Sequence, residues 1–308
     1  MMRPSGPADF VQEQLQLPDG DFVDLCWTAG ATAPLVLVLH GLEGSIASPY
    51  VRGMLAAVHA RGWRGVLMHF RGCSGRRNRL DRSYHSGDTG DIKFLVHTLR
   101  ARFPGLPLAA VGFSLGGNAL LKYLGEHGAD AGLQAAAAVS VPYDLAAGAA
   151  RLDSGFSRLY QWHLLRSLRR KVADKFRGRE LHILGLPARQ LQQLDNFWKF
   201  DHAVTARLHG FKDVHDCYAR SSSRQYLARI RVPTLLVHAR DDPFMTPAAV
   251  PTPAELADCV TLELSEHGGH VGFVAGNLPW QPRFWLEQRI PAFLRTHIEL
   301  ARGSEPKS

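Results

Sequence analysis

Cysteine is scarce in this chain. Four residues, at 26, 73, 217 and 259 of 308, are too few and too scattered to staple a core of this size. No C-x-x-C pair occurs, so neither a zinc knuckle nor a thioredoxin-type redox site is indicated, and the thiols read as reduced in a cytoplasmic protein. No apolar run approaches the ~20 residues that span a bilayer. The first ten residues hold an arginine but no apolar segment of the kind a secretory signal needs. The fifteen histidines form no H-E-x-x-H. Their densest polar neighbourhood, His209, Asp213, His215 and Asp216, could mimic a metal site, but loop histidines are more often solvated or hydrogen-bonded than ligands. Strong basicity is also missing from most of the chain. Net charge is +8, yet the stretch from Arg158 to Glu180 alone carries eight basic and two acidic residues, leaving +2 for everything else. With no RNP, zinc-finger or basic-zipper pattern, nucleic acid has no support as a partner.

What remains is an ordinary globular composition, 45% hydrophobic and 21% charged. Short apolar runs end in turn residues at Phe22–Thr28, Leu35–Leu39, Gly65–Phe70, Leu108–Phe113, Ala135–Val141, Thr234–Ala239 and Val260–Leu264. Runs apolar on both parities suit strands buried on two faces. Helix-length segments alternate with them at Pro49–Ala60, Asp88–Phe103, Leu115–His127 and Pro282–Leu300. This predicts an α/β fold with a mostly parallel central sheet and helices on both faces. Strands from the first residues are expected as antiparallel additions at one edge. The alternation stops after Val141, and from Asp144 to about Arg229 the text is helical and rich in Arg and Leu. Residues 1–143 and 230–308 are therefore assigned to the core and 144–229 to a helical insertion over the carboxyl ends of the strands, where α/β ligands bind.

Gly112-Phe113-Ser114-Leu115-Gly116 is a G-x-S-x-G. The bare pattern is weak, but it follows an apolar run and opens a helical one, and strand, sharp turn, helix is the arrangement that presents a nucleophilic serine. Flanking glycines are needed because the turn strains the serine backbone and leaves no room for neighbouring side chains. A serine hydroxyl needs a base, and the base and its acid follow in the order Ser, acid, His. His270, inside the glycine loop after Val260–Leu264, is preferred to His267. The acid should end the preceding strand; Asp242, held extended by Pro243, is preferred to Asp241. An oxyanion hole needs two backbone N–H groups. Leu115 follows the nucleophile, and Leu42 lies in His40-Gly41-Leu42-Glu43-Gly44 after a central strand. Ser74 and His85 sit in glycine- and arginine-rich loops that read as pocket wall.

The set His40–Gly44, Phe70–Gly75, Tyr84–Gly87, Gly112–Gly117, Ala203–Arg207 with Gly210-Phe211, Asp241–Met245 and His267–Phe273 resembles the YheT-type α/β hydrolases across nearly the whole chain. The resemblance implies an α/β-hydrolase fold with a helical cap. It also implies a serine hydrolase acting on esters, with relatives active on medium-chain acyl esters and phospholipids. It carries the triad onto Ser114, Asp242 and His270, with no metal or organic cofactor. Acyl transfer to an alcohol would use the same residues, and a non-catalytic lipid-binding module is the rival from another class. In the insertion, Trp162, Leu165, Leu168, Val172 and Phe176 recur at helical spacing and predict a lid helix packed on the core. Its basic remainder is expected to be a solvated face, with peripheral contact with an anionic membrane as the sharper expectation.

Overall fold

The computed structural model describes residues 10–30, 33–177, 184–186, 188–276 and 282–303. Eight strands form one sheet: β1 (Phe10–Gln16), β2 (Phe22–Thr28), β3 (Leu35–Leu39), β4 (Arg64–His69), β5 (Leu108–Phe113), β6 (Ala135–Val139), β7 (Thr234–Ala239) and β8 (Val260–Ser265). Their order is β1-β2-β4-β3-β5-β6-β7-β8. Every pairing from β4 to β8 is parallel, whereas β1 and β2 join antiparallel at one edge, as expected for the first residues.

The two-parity reading of the strands has a direct counterpart in packing. Leu35, Leu37 and Leu39 of β3 enter one apolar core, while Val36 and Val38 enter the other, on the opposite face of the sheet. Helices cover both faces: α1 (Pro49–His59), α2 (Gly90–Arg102), α3 (Leu115–His127) and, beyond the cap, the C-terminal helix Leu286–Gly303. That last helix starts later than the sequence pattern placed it. Arg283–Phe284 instead pairs with Val274–Ala275 as a two-stranded antiparallel ribbon, too short to carry a periodic signal.

Chain order and strand order together locate the site. From β3 the chain moves outward to β4, then returns past β3 to β5. The loops leaving β3 and β5 therefore diverge from neighbouring strand ends, with Leu39 opposite Gly112. Such a switch point opens a crevice at the carboxyl edge of the sheet.

Over it lie α4 (Leu145–Leu152), α5 (Ser157–Lys175), α6 (Phe197–Phe200), a π-helical segment Asp201–Thr205, α7 (Ala206–Leu208) and α8 (Val214–Ser221). They share an apolar core of their own that includes Leu165, Val172, Phe176, Phe197 and Val204. Side chains start these helices: Asp144 accepts from the Ala147 amide, Asn196 from Lys199, and Asp213 from Asp216. The face expected for α5 needs one correction. Leu165, Val172 and Phe176 are buried, but Trp162 is 50% exposed and joins exposed Phe156, Leu159 and Tyr160 at the start of the helix. The basic residues also divide. Arg169 and Lys175 are buried, and Lys171 pairs with a core glutamate. Arg158, Arg166 and Arg170 remain exposed, and Arg179 and Glu180 lie outside the described residues.

Candidate active site

Ser114 occupies the turn between β5 and α3 with φ +51° and ψ −117°. A non-glycine residue there is strained, and the surrounding structure over-determines it. The Ser114 amide donates to the Val139 carbonyl at 2.8 Å, and its carbonyl accepts from Asn118 at 3.0 Å. The glycines are required by close approach. A Cβ on Gly116 would lie 2.5 Å from the His40 carbonyl oxygen, and one on Gly112 would lie 2.6 Å from the Gly116 oxygen. The elbow is thus wedged between the ends of β3 and β6, and no larger residue fits either flank.

Facing Ser114 is the loop after β8. His270 Nε2 stands 3.0 Å from Ser114 Oγ, and His270 Nδ1 stands 2.9 Å from Asp242 Oδ2. The Asp242 carboxylate is buried, and its Oδ1 also accepts the Phe244 amide at 2.9 Å. An acceptor beside Nδ1 favours the tautomer with the proton there, leaving the Nε2 lone pair toward the hydroxyl. The loop is shaped by left-handed residues Val271 (φ +58°) and Phe273 (φ +45°). The Val271 amide donates to Ser140 Oγ at 3.2 Å, which ties the loop to the end of β6. The rival residues are elsewhere. His267 is almost wholly exposed, 3.5 Å from Asp241 Oδ2, and Asp241 accepts the amides of Gly268 and Gly269.

Leu42 and Leu115 both border the cavity above Ser114. The His40–Gly44 turn touches the elbow: a Cβ on Gly41 would sit 3.3 Å from Ser114 Cβ. The turn is held from below. The buried His40 ring lies 2.7 Å from the Gly41 carbonyl through Nδ1 and accepts the Phe70 amide at Nε2, which fixes its tautomer. Burial, helped by His69 and Lys171, pushes His40 down to about 3, so it works as a neutral spacer. Tyr50 Oη accepts the Gly41 amide at 2.9 Å. Tyr50, Ser140 and Phe244 support the site without any spacing signal that would single them out in sequence. They act through loops that only the fold brings together.

The cavity measures about 960 Å³. The cap contributes apolar side chains to its lining, among them Leu152, Leu168, Val172, Phe197 and Val204. Cys73, Tyr84, His85 and His209 also line it. Ser74 and His85 do not meet. Ser74 Oγ donates to Asp24, and His85 Nδ1 lies 3.3 Å from Ser221 Oγ. The four-residue metal neighbourhood read around His209 dissolves, because Asp213 caps α8 and Asp216 accepts from Lys212 and Arg220. His209 instead gathers with His85 and Asp88, their ligand atoms within 4.8 Å. Burial first, then Arg82, Lys122 and Arg220, holds the His85 imidazole down to about 3, and Asp88 already pairs with Arg82. That positive surrounding does not suit a cation.

A family model described as the alpha/beta hydrolase fold matches residues 34–276. Escherichia coli (strain K12) YheT, named as an esterase, is 45% identical over 93% of this chain and 85% of its own length. Mouse phospholipase ABHD3 is 28% identical over 95% of this chain and 73% of that protein. Among solved structures, the Pyrococcus furiosus esterase Pf2001 superposes with a TM-score of 0.62 at 18% identity, covering 94% of this chain and 91% of that one. At that identity the likeness is one of fold.

Proposed function

We propose, from the premise that this chain belongs to the α/β-hydrolase family and within it is YheT-like, that it is a serine hydrolase of carboxylic esters. One observation carries the reading: Ser114 Oγ, His270 and Asp242 stand in an unbroken hydrogen-bonding line at the floor of the cavity. In this reading residues 1–143 and 230–308 are the catalytic core and 144–229 the cap. The protein works in the cytoplasm, without a metal or organic cofactor.

The steps follow from the geometry. Ser114 Oγ attacks the ester carbonyl while His270 Nε2 takes its proton, and Asp242 stabilises the imidazolium that forms. The oxyanion settles on the Leu42 and Leu115 amides, with the N-terminus of α3 adding favourable partial charge. Collapse expels the alcohol, which receives the proton from His270 and leaves an acyl-enzyme. Water, activated by the same imidazole, then attacks, and Ser114 is regenerated.

The apolar side chains that the cap contributes to the cavity, among them Leu152, Leu168, Val172, Phe197 and Val204, support short- to medium-chain acyl or lipid-like esters as substrates, since they offer methylene contacts. The phospholipase name of the mouse relative agrees with that class. The exposed cluster Phe156, Leu159, Tyr160 and Trp162, flanked by Arg158 and Arg166, supports peripheral contact of the cap with an anionic membrane.

The test is covalent labelling with a fluorophosphonate, followed by a chain-length series of p-nitrophenyl esters. Labelling and turnover are expected in the wild type and lost in Ser114→Ala. Labelling that persists in Ser114→Ala means a different nucleophile. Ester product in the presence of added glycerol would move the assignment to acyl transfer.

A further inference from the structure

Glu43 is placed where a carboxylate is costly. Its side chain is 7% exposed, and its backbone, at φ +57°, is in the left-handed region. It is the third residue of a turn closed by the Gly44 amide on the Gly41 carbonyl at 3.0 Å. The residue before it, Leu42, carries one of the two amides assigned to the oxyanion. Burying a charge demands partners, and Glu43 has them on both sides of the cavity. From the core, Tyr84 Oη donates to Oε1 at 2.9 Å and accepts the Glu43 amide at 3.0 Å. From the cap, both partners lie one turn apart on α5: Lys171 Nζ donates to Oε1 at 2.8 Å, and Ser167 Oγ donates to Oε2 at 2.6 Å. Lys171 also reaches Cys73 Sγ at 3.2 Å.

Helix α5 meets the core at three levels. Its first residue, Ser157, donates to the Pro243 carbonyl, and its last, Lys175, reaches Asn78 and the Arg82 carbonyl. Of these three polar contacts, the middle one falls on the turn that touches the nucleophile, and Leu42 of that turn also packs against the apolar core of the cap. We propose that Glu43, Ser167 and Lys171 are positioning residues: the cap helix grips the Glu43 carboxylate and thereby sets the turn that presents the Leu42 amide. Seating of the cap and assembly of the oxyanion hole are then one event. The inference rests on the serine-hydrolase reading. It goes beyond that reading in assigning the cap a part in the rate of the chemical step, separate from binding the acyl chain.

The physical consequence is specific. A turn with a left-handed glutamate relaxes when the ion pair that holds it is removed, and a donor displaced by about 1 Å can cost ~100-fold in rate. The loss should appear in the transition state, where the oxyanion exists, and not in substrate binding.

The experiment uses the full chain and compares wild type with Lys171→Met, Lys171→Arg, Glu43→Gln and Ser167→Ala. Each is measured for kcat and KM on p-nitrophenyl acetate, whose short acyl group leaves most of the cavity unfilled. Each is also measured for inhibition by a trifluoromethyl ketone and its methyl ketone counterpart. The fluorinated ketone accepts Ser114 Oγ at its carbonyl carbon: the C=O electron pair moves to oxygen, the serine proton moves to His270, and the hemiketal oxyanion occupies the hole. The methyl ketone binds without that addition. Lys171→Met is expected to lower kcat about 10- to 100-fold with KM within about twofold. It should weaken the trifluoromethyl ketone by the same factor and leave the methyl ketone unchanged. Lys171→Arg should recover most of the loss, and Glu43→Gln combined with Lys171→Met should be no worse than Lys171→Met alone. Should Lys171→Met melt below assay temperature, Ser167→Ala, which deletes one neutral donor, carries the same comparison. An unchanged kcat, or equal weakening of both ketones, overturns the proposal. A wild type that does not label at Ser114 overturns the serine-hydrolase reading itself, and this inference with it.

Discussion

Asp241 and Asp242 are neighbours in sequence that grip the histidine loop at two different points. Asp242 Oδ2 holds His270 Nδ1 at 2.9 Å, and Asp241 Oδ1 accepts the amides of Gly268 and Gly269 at 2.9 and 2.8 Å. One orients the imidazole and the other anchors the backbone that delivers it. Burial raises the Asp241 carboxyl, but the amides of Gly269 and Gly268 outweigh it and hold it below the usual range.

The two should separate kinetically. Asp242→Asn puts an amide opposite Nδ1 and favours the wrong tautomer, so kcat is expected to fall on the order of 10,000-fold. Asp241→Ala removes two hydrogen bonds from an exposed loop. It is expected to cost less than about tenfold in kcat and about 1–3 kcal/mol of stability. Steady-state kinetics and urea unfolding of both variants check this. Comparable kcat losses would mean that Asp242 is no more than a second anchor.

Gly116→Ala addresses the elbow. The added methyl would sit 2.5 Å from the His40 carbonyl oxygen and 2.6 Å from that of Leu39, both backbone atoms of a central strand end that cannot turn aside. Destabilisation of about 1–3 kcal/mol is expected, with β3 and α3 pushed apart. Because that displacement separates Leu42 from Leu115, fluorophosphonate labelling should slow even in the folded fraction. Gly148→Ala is the control: its methyl would meet Met245 and Pro142 at ordinary contact distances of 3.7–3.8 Å in a helix interior. It should be neutral or slightly stabilising.

Much of this arrangement follows from the sequence pattern alone. The strands were legible because apolar residues on both parities mean burial on both faces, and β2, β3, β5 and β7 begin and end where those runs do. That Ser114, Asp242 and His270 meet could be expected, because each ends or follows a strand in a fixed order. At Trp162 the face of α5 departs from the helical pattern. Helical spacing reports which side chains share a stripe, but not where along a long helix its packing partner begins. Nothing at Glu43 marks its charge as buried, since its partners come from residues 84, 167 and 171.

Stability should fall on the acid side for a reason visible in the fold. Burial holds His40, His85 and His209 down to about 3, each helped by neighbouring cationic or imidazole groups. An unfolded histidine protonates near 6.5. Between about pH 6.5 and pH 3 the unfolded chain therefore binds protons that the folded chain refuses, and stability is lost as pH falls. Each such imidazole contributes a slope of about 1.4 kcal/mol per pH unit well below 6.5. Urea midpoints measured from pH 8 to pH 4.5 should decline below 6.5, and His209→Gln should make that decline shallower. An identical slope in the variant would mean that His209 titrates alike in both states.

The exposed start of α5 is apolar. Phe156 is 75% exposed, Leu159 57%, Tyr160 44% and Trp162 50%, an apolar cluster at the start of a helix whose Leu165 and Val172 are buried further along. Arg166 stacks over Trp162 at 5.5 Å, and exposed Arg158 lies between Phe156 and Leu159. Aromatic and aliphatic side chains flanked by arginines match the boundary of an anionic bilayer. The cluster is also close to the chemistry: Tyr160 meets Phe244 at 5.0 Å between ring centroids, and Phe244 meets His270 at 4.1 Å. A bilayer held there would present its esters on the side of the cavity that Phe244 lines. Leu159→Ser with Trp162→Ser should weaken co-sedimentation with phosphatidylglycerol vesicles about tenfold or more, because two large apolar contacts at ~2 kcal/mol each are at stake. Neither residue lines the cavity, so hydrolysis of a soluble short ester should stay within about twofold of wild type. Raising salt should weaken the wild type on anionic vesicles and leave its weaker binding to phosphatidylcholine vesicles little changed. Equal binding of wild type and variant would remove the lipid role from this edge and leave the patch for a protein surface to cover.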